Sequence, residues 1–182
     1  IVFKKTDIEE AYLVKLNHFR DKRGVFTRVF DKLKFEFIKK NIVWKQSNIS
    51  INPKKNTFRG LHYQRNKHQE NKLVTLIHGG MYDFIFELRK KSKTYVKIFK
   101  YKLEKKNYQS IYILRCVAHG FYTLKPNTSI LYNTDKPYNK VNEGGVSIFD
   151  SYFKNILPMK NLIISKKDTE FKPFDISIDY LK

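Results

Sequence analysis

The feature that most constrains the fold of this chain is a long series of short segments in which apolar and polar residues alternate. A period of two is typical of strands that bury one face and expose the other. The segments recur about every 8–12 residues, the spacing of an all-β sandwich or barrel. The strongest are residues 58–64, 72–77, 81–88, 95–103, 112–114, 120–124, 129–134 and 146–149. The pattern therefore predicts a jelly roll that can hold a small ligand between its two sheets at one end.

The rest of the chain completes this all-β prediction. Residues 11–16 and 25–30 are expected to be early strands, with a turn at residues 21–24 between them. Helical signal is confined to residues 32–41 and the tail, so we expect only a few short peripheral helices. Neither a glycine-rich phosphate loop nor a repeat of fixed period is visible. The length favours a single domain over residues 1–182.

The composition is that of a globular protein, with 41% hydrophobic and 15% aromatic residues among 182. No apolar run approaches the roughly 20 residues that span a bilayer, so we expect no membrane partner. Cys116 is the one cysteine, which excludes an internal disulfide and fits a reducing cytoplasm. It also argues against a thiolate metal site.

The net charge of +20 has three interpretations. A lysine-rich surface can bind nucleic acid by neutralising phosphates, but these lysines are spread over the whole chain and form no stripe or known motif. A positive field can instead attract an anionic small substrate, such as a sugar nucleotide. The simplest interpretation is compositional bias with solvated lysines. We therefore expect no nucleic-acid partner.

One strand-loop-strand stretch, residues 58–72, combines two histidines, two arginines, two glutamines and two lysines. His62 lies on its first strand, where an imidazole could point into a sheet-lined pocket and transfer a proton. Taken alone, His62 is more simply a satisfied core or surface histidine. Arg59 and His62 are three residues apart and would face opposite sides of a regular strand. Both can reach one pocket only if a bulge or a twist interrupts the strand near Gly60.

Several motifs occur in a fixed order with this stretch. They are DKRGVF at 21–26, QSN at 46–48, FRGLHYQ at 58–64, KLV at 72–74, DFIFELRKKSKTY at 83–95, AHGF at 118–121, LYNT at 131–134 and SKKD at 165–168. Through them nearly the whole chain resembles the dTDP-4-dehydrorhamnose 3,5-epimerases, cupin-fold enzymes of dTDP-rhamnose synthesis. The resemblance implies a double-stranded β-helix, or jelly roll. It also implies a cofactor-independent isomerase that converts dTDP-4-dehydro-6-deoxy-D-glucose into dTDP-4-dehydro-L-rhamnose.

Epimerisation beside a ketone removes a carbon-bound proton from one face of the sugar and returns a proton to the other. The resemblance implies that His62 is the base, that Tyr132 is the acid on the opposite face and that Asp168 orients the base. Lys72 would stabilise the enolate oxygen. On pattern alone, Tyr132 would be a core residue and Asp168 the N-cap of a short helix.

The resemblance also implies substrate-binding positions, a homodimer that exchanges N-terminal strands, and neither a metal nor a cofactor. The substrate contacts would be Arg23 for a phosphate, Tyr138 for stacking on the base, and Gln46, Asn48, Arg59, His119, Glu143 and Lys167. A nucleotide sugar is therefore the expected small-molecule partner.

The chain departs from the family pattern at several positions that bear on substrate, among them Arg28, Ser47, Arg115, Pro137 and Gly144. Because of these departures two alternatives stay open. One is a single-centre epimerase, acting at C3 or C5 of another nucleotide-linked 4-keto sugar such as a GDP-heptose. The other is a non-catalytic jelly-roll module that binds a sugar nucleotide.

Overall fold

The computed structural model describes residues 1–157 and 160–176. Within them lie two short helices, α1 (Lys32–Phe35) and α2 (Lys166–Thr169), and thirteen strands. The strands are β1 (Val2–Lys5), β2 (Tyr12–Lys15), β3 (His18–Asp21), β4 (Gly24–Thr27), β5 (Gln46–Asn52), β6 (Phe58–Gln64), β7 (Lys72–His78), β8 (Gly80–Glu87), β9 (Ile98–Glu104), β10 (Gln109–Ile113), β11 (Val117–Thr123), β12 (Thr128–Thr134) and β13 (Glu143–Gly145). The predicted all-β class is confirmed.

Two antiparallel sheets form the body of the molecule. The six-stranded sheet has the order β1-β2-β10-β7-β12-β5, and the five-stranded sheet has the order β13-β6-β11-β8-β9. Strands β3 and β4 form a separate hairpin. From β5 to β8, and again from β9 to β13, successive strands alternate between the two sheets. Residues that are close in sequence therefore lie on facing walls, as the jelly-roll prediction requires.

The core between the two sheets consists of aliphatic and aromatic side chains that alternate along the strands. Val74, Leu76 and Ile111 of the six-stranded sheet pack with Ile85 and Phe121 of the five-stranded sheet. Two further buried clusters cover the outer faces, one of them built around Phe35, Leu73 and Tyr112, the other around Phe58, Phe86 and Phe174. Because buried clusters cover the outer faces over the central strands of both sheets, the strand positions that line the interior are fixed by packing from both sides there.

The helix expected over residues 32–41 is shorter than predicted. Asp31 caps α1 by accepting a hydrogen bond from the Lys34 backbone, but the helix ends at Phe35 and turns follow up to Asn41. Phe35 is fully buried, whereas Leu33 and Phe37 project into solvent. With one buried anchor, the segment lacks the apolar stripe that would hold a longer helix against the sheet.

The strand expected over residues 146–149 was also wrong. The structure has β13 ending at Gly145, and Val146 continues as irregular backbone that exchanges hydrogen bonds with Leu61. Val146 and Ile148 are buried in the cluster beneath the five-stranded sheet, which explains their strand-like pattern. In the described part of the chain, no helix is long and apolar enough to cross a membrane.

Candidate active site

A cavity of about 480 Å³ opens between the two sheets. Eleven of the twelve predicted site residues line it. Gln46, Asn48, Lys72 and Tyr132 come from the six-stranded sheet, Arg59, His62, His119 and Glu143 from the five-stranded sheet, and Tyr138, Lys167 and Asp168 from the segments that close one side. Gln46 and Asn48 are two apart on β5, so the pleat turns both inward. The fold thus gathers residues that are up to 122 positions apart in sequence, from Gln46 to Asp168.

Arg23 is the predicted site residue that this chain does not bring to its own cavity. It lies at the tip of the β3–β4 hairpin, with 85% of its side chain exposed. Its guanidinium pairs with Asp21 at 2.6 Å, and this pairing lowers the pKa of the Asp21 carboxyl.

One polar contact at the cavity wall joins His62 to Asp168. The His62 Nε2 atom lies 2.7 Å from Asp168 Oδ1, and the Gly60 backbone N–H donates to Oδ2 of the same carboxylate at 3.2 Å. Burial works to raise the pKa of Asp168, but the hydrogen bonds from His62 and Gly60 outweigh it and hold that pKa below its ordinary value. An ionised Asp168 accepts the proton on Nε2, so the lone pair of His62 lies on Nδ1, where it can act as a base.

Asp168 reaches His62 because of the helix that carries it. Ser165 is the N-cap of α2 and accepts a hydrogen bond from the Asp168 backbone at 3.1 Å. Asp168 is therefore not the cap, which was the alternative on pattern alone. The Ser165 cap leaves the Asp168 side chain free to turn inward from the first turn of α2.

A bulge in β6 lets Arg59 and His62 face the same cavity. His119 of β11 pairs with His62, and Phe121 pairs with Arg59. These two pairs are two residues apart on β11 but three residues apart on β6. The extra residue falls at Gly60, which has a φ of +136°. A Cβ there would approach within 2.5 Å of the Gly120 backbone, so the position requires glycine. The irregularity that the sequence analysis required near Gly60 is present.

Tyr132 faces His62 from the opposite wall, since β12 belongs to the six-stranded sheet and β6 to the five-stranded sheet. Burial, and then the nearby charge of Glu70, raise the pKa of Tyr132 above that of an ordinary phenol, although Arg59 opposes the shift. Tyr132 is consequently a protonated group at neutral pH.

Two acidic residues that were not predicted as site residues lie at the closed end of the cavity, the part lined by His62, Lys72, His119, Tyr132 and Asp168. Glu70 lines the cavity, and its Oε1 lies 3.3 Å from Lys72 Nζ. Asp83 is fully buried on β8, with Oδ2 2.9 Å from His119 Nε2. The one available signal for Glu70 was its position two residues before Lys72, a spacing that puts both side chains on the same face of extended backbone. Asp83 begins the DFIFELRKKSKTY motif, but nothing in that motif indicates that it contacts His119.

The mouth of the cavity is built differently, from two exposed side chains, Tyr138 and Lys167, that share the enclosed carboxylate of Glu143. The Tyr138 hydroxyl donates to Glu143 Oε2 at 2.8 Å, and Lys167 pairs with Oε1 of the same carboxylate. Burial works to raise the pKa of Glu143, but these two partners prevail and lower it. The Tyr138 backbone N–H donates to Gln46 at 2.6 Å, which fixes the loop that carries the ring. Arg59 is held from behind by Asn52, whose Oδ1 lies 3.0 Å from its Nε.

None of the five named departures from the family pattern lines the cavity. Arg28 pairs on the surface with Asp31 at 3.4 Å. Ser47 alternates with the inward residues of β5 and donates to Asn133 instead. Gly144 packs beneath Tyr63 so closely that an added Cβ would meet the ring at 2.5 Å. Arg115 is exposed. The part of the chain that the structure describes contains no group of three or more His, Cys, Asp or Glu residues that could hold a metal ion.

Comparison with known proteins gives a consistent family. The sequence model of the dTDP-4-dehydrorhamnose 3,5-epimerase family matches residues 5–175. The dTDP-4-dehydrorhamnose 3,5-epimerase of Shigella flexneri is 30% identical over 177 residues, which cover 97% of each chain.

Solved structures agree with this match. The dTDP-4-dehydrorhamnose 3,5-epimerase of Bacillus anthracis strain Ames, with TDP and PPi bound, has a TM-score of 0.89 at 31% identity and covers 95% of this chain and 100% of that one. The dTDP-6-deoxy-D-glucose 3,5-epimerase of Legionella pneumophila Philadelphia 1, in complex with dTDP-4-keto-L-rhamnose, has a TM-score of 0.90 at 25% identity. It covers 100% of this chain and 98% of that one.

Proposed function

The chain belongs to the dTDP-4-dehydrorhamnose 3,5-epimerase family, and from this membership we propose that it converts dTDP-4-dehydro-6-deoxy-D-glucose into dTDP-4-dehydro-L-rhamnose. The observation that carries the proposal is the His62–Asp168 pair, which faces Tyr132 across a single cavity. Inversion beside a ketone needs a base and an acid on opposite faces of the ring. Two residues on opposite sheets meet that need.

In the proposed mechanism, His62 Nδ1 removes the proton from C3 or C5, and Asp168 stabilises the imidazolium that forms. A buried carboxylate with a lowered pKa remains ionised throughout, so it can offset this positive charge. The C–H bonding electrons move into an enolate whose oxygen, the former C4 ketone, becomes negative. Tyr132 then donates its phenolic proton to the opposite face of the same carbon. Because its pKa is raised, the phenol is still protonated when the enolate forms.

The enolate oxygen needs a cation or a hydrogen-bond donor close by. Lys72 is the proposed one, since its ammonium lies in the cavity with 13% of the side chain exposed. His119, held by the buried Asp83, is proposed as a second polar contact to the sugar. In a site of low dielectric each such contact acts more strongly than it would in water.

The nucleotide would occupy the mouth of the cavity. We propose that Tyr138 stacks on the base, while Gln46, Asn48, Glu143 and Lys167 contact the nucleoside and Arg59 the pyrophosphate side. The net charge of +20 would favour the approach of this anionic substrate.

Solvent exchange tests the proposed function directly. The protein is incubated with dTDP-4-dehydro-6-deoxy-D-glucose in D2O, and deuterium at C3 and C5 is followed by NMR. Incorporation at both carbons that is lost in His62→Ala is the expected result. Incorporation at one carbon alone would identify a single-centre epimerase, and no incorporation by the folded protein would overturn the assignment.

We further propose a homodimer in the cytoplasm. Apolar side chains that a monomer would leave in water support the dimer: Phe19 and Phe26 pair on one face of the hairpin, and Ile49 and Ile51 share the outer face of β5. Light scattering after size-exclusion chromatography should give twice the mass of one chain. A mass equal to one chain would contradict this.

The dimer also bears on Arg23, which lies outside its own cavity. We propose that Arg23 contacts a phosphate bound to the partner chain. Arg23→Ala and His62→Ala, each weakly active alone, should then complement when refolded together, because each mixed dimer contains one intact site. Random pairing would restore about a quarter of the wild-type activity, and no gain over the separate variants would exclude the contact.

A further inference from the structure

Glu70 and Lys72 form a paired donor and acceptor on one rigid piece of backbone at the closed end of the cavity. They flank Asn71, and residues two apart on extended backbone project to the same side. Asn71 points away from the cavity and is anchored to Asp135, whose Oδ1 accepts from the Asn71 backbone at 2.7 Å. The Arg115 backbone donates to the Asn71 side chain at 3.1 Å. The backbone between Glu70 and Lys72 is therefore fixed before any ligand arrives.

The pair is enclosed together with the proposed acid. Side-chain exposure is 11% for Glu70 and 13% for Lys72, and their charged atoms lie 3.3 Å apart. The Glu70 charge also acts on Tyr132, whose pKa it helps to raise. A carboxylate this enclosed is costly unless its lone pairs are used, and Lys72 occupies one of its two oxygens. A sugar hydroxyl could donate a hydrogen bond to the remaining lone pairs of the Glu70 carboxylate.

The chemistry of the proposed reaction, on which this inference rests, indicates which hydroxyl. When C3 loses its proton it becomes trigonal, and its hydroxyl oxygen O3 then lies in the same plane as the enolate oxygen O4. The two oxygens are adjacent and face the same edge of the sugar ring. In the substrate and in the product C3 is tetrahedral, and O3 lies on one side of that plane or the other. A donor and an acceptor held side by side thus match the enolate better than either ground state.

We propose that Lys72 donates a hydrogen bond to O4 while Glu70 accepts one from the O3 hydroxyl, so that the pair recognises the hydroxy-enolate formed at C3. The proton from C3 still passes to His62 and the returning proton still comes from Tyr132, so Glu70 gains and loses none. At C5 the group beside O4 in the enolate plane is a methyl carbon, which has no proton to donate. Glu70 is consequently a residue that favours reaction at C3 over reaction at C5, whereas Lys72 serves both carbons.

The test compares deuterium incorporation at C3 and C5 in the same NMR sample, using dTDP-4-dehydro-6-deoxy-D-glucose in D2O. Glu70→Met, which removes the acceptor at similar length, should lower the ratio of the C3 rate to the C5 rate by about 10- to 100-fold, the range for a hydrogen bond to a charged group. Glu70→Gln keeps an acceptor oxygen without the charge and should lower the ratio less than Glu70→Met does. Lys72→Met should slow both carbons and leave the ratio nearly unchanged.

Because both rates come from one sample, partial unfolding of a variant cancels in the ratio. A ratio that is unchanged in both Glu70 variants would overturn the inference, whether the two rates fall together or not at all. Equal losses would mean that Glu70 only positions Lys72. A wild-type protein that exchanges C5 but not C3 would also overturn it, while leaving a C5 epimerase. Exchange at neither carbon would instead overturn the proposed function.

Discussion

The closed end and the mouth of the cavity use the same kinds of side chain in opposite settings. At the closed end Asp168 is 3% exposed and pairs with His62, and the Glu70–Lys72 pair is nearly as enclosed. At the mouth Tyr138 is 53% exposed and more than half of the Lys167 side chain is in solvent. Both regions carry an enclosed carboxylate whose pKa is lowered by its partners, Asp168 at the closed end and Glu143 at the mouth.

This difference in solvent exposure indicates which region controls the reaction rate and which controls substrate affinity. Charges act over short distances with little screening in a dry interior, but are screened by water and salt at a rim. Contacts at the closed end should therefore determine rates, and contacts at the mouth should determine affinity. Substitutions at the closed end and at the mouth test this separation of rate from affinity.

Removing the base should cost most. His62→Ala is expected to slow deuterium incorporation at C3 and C5 by about 10²–10⁴-fold, the usual contribution of a general base. Asp168→Asn should slow incorporation by a smaller factor than His62→Ala does, because the neutral amide no longer stabilises the imidazolium. His78→Ala, at the exposed end of β7, is the matched control and should keep the wild-type rate. A His62→Ala protein with more than a tenth of the wild-type rate would place the base elsewhere.

Removing the acid should separate two steps that the wild type couples. Tyr132→Phe leaves His62 able to remove a proton and return a deuteron to the same face, so exchange should persist while inversion falls by about 10²-fold or more. NMR gives both numbers, from the deuterium content and from the coupling constants of the sugar protons. If exchange and inversion decline in parallel, Tyr132 is not the group that protonates the opposite face.

A change at the mouth should affect binding more than rate. Tyr138→Ala is expected to raise the Kd for dTDP about tenfold, since an aromatic ring stacked on a base contributes about 1–3 kcal/mol. The effect on kcat should be small. Tyr138→Phe keeps the ring and loses the hydrogen bond to Glu143, so it should bind nearly as well as the wild type. Equal losses in the two variants would show that the hydroxyl, and not the ring, matters.

The smallest effect concerns stability in acid. The pKa of Asp168 is lower in the folded state than in the unfolded chain, where an Asp carboxyl has a pKa of about 3.9. As the pH falls, the unfolded chain therefore binds this proton before the folded protein does. This stabilisation is present above the unfolded pKa and is lost as the pH falls through the folded pKa. The gap in Tm between wild type and Asp168→Asn should therefore shrink between pH 7 and strongly acidic pH. The exposed Glu9→Gln serves as control, and a gap that stays constant would refute the linkage.

Much of the site could be predicted because the motifs that carry it are local. RGLHYQ places His62, KLV places Lys72 and LYNT places Tyr132 on strands, and all three strands are present. The need for an irregularity near Gly60 followed from the two-residue period together with the roles that the family resemblance implies for Arg59 and His62. The helix at residues 32–41 and the strand at residues 146–149 failed because burial at single positions, such as Phe35 and Val146, imitates a periodic pattern without extending it.

Alternation along the chain was enough to predict the class of fold, because a two-residue period is a local property. The proposed acid, base and enolate cation were predicted from short motifs shared with the epimerase family, since the pattern alone assigns those residues no chemical role. The tertiary structure was needed to show that the face shared by Glu70 and Lys72 lines the same cavity as Tyr132, that Asp83 contacts His119, and that Arg23 lies outside its own site. These facts depend on the sheet that each strand joins and on the register that it takes there. Strand order and register are set by packing across the whole molecule, so no single segment encodes them.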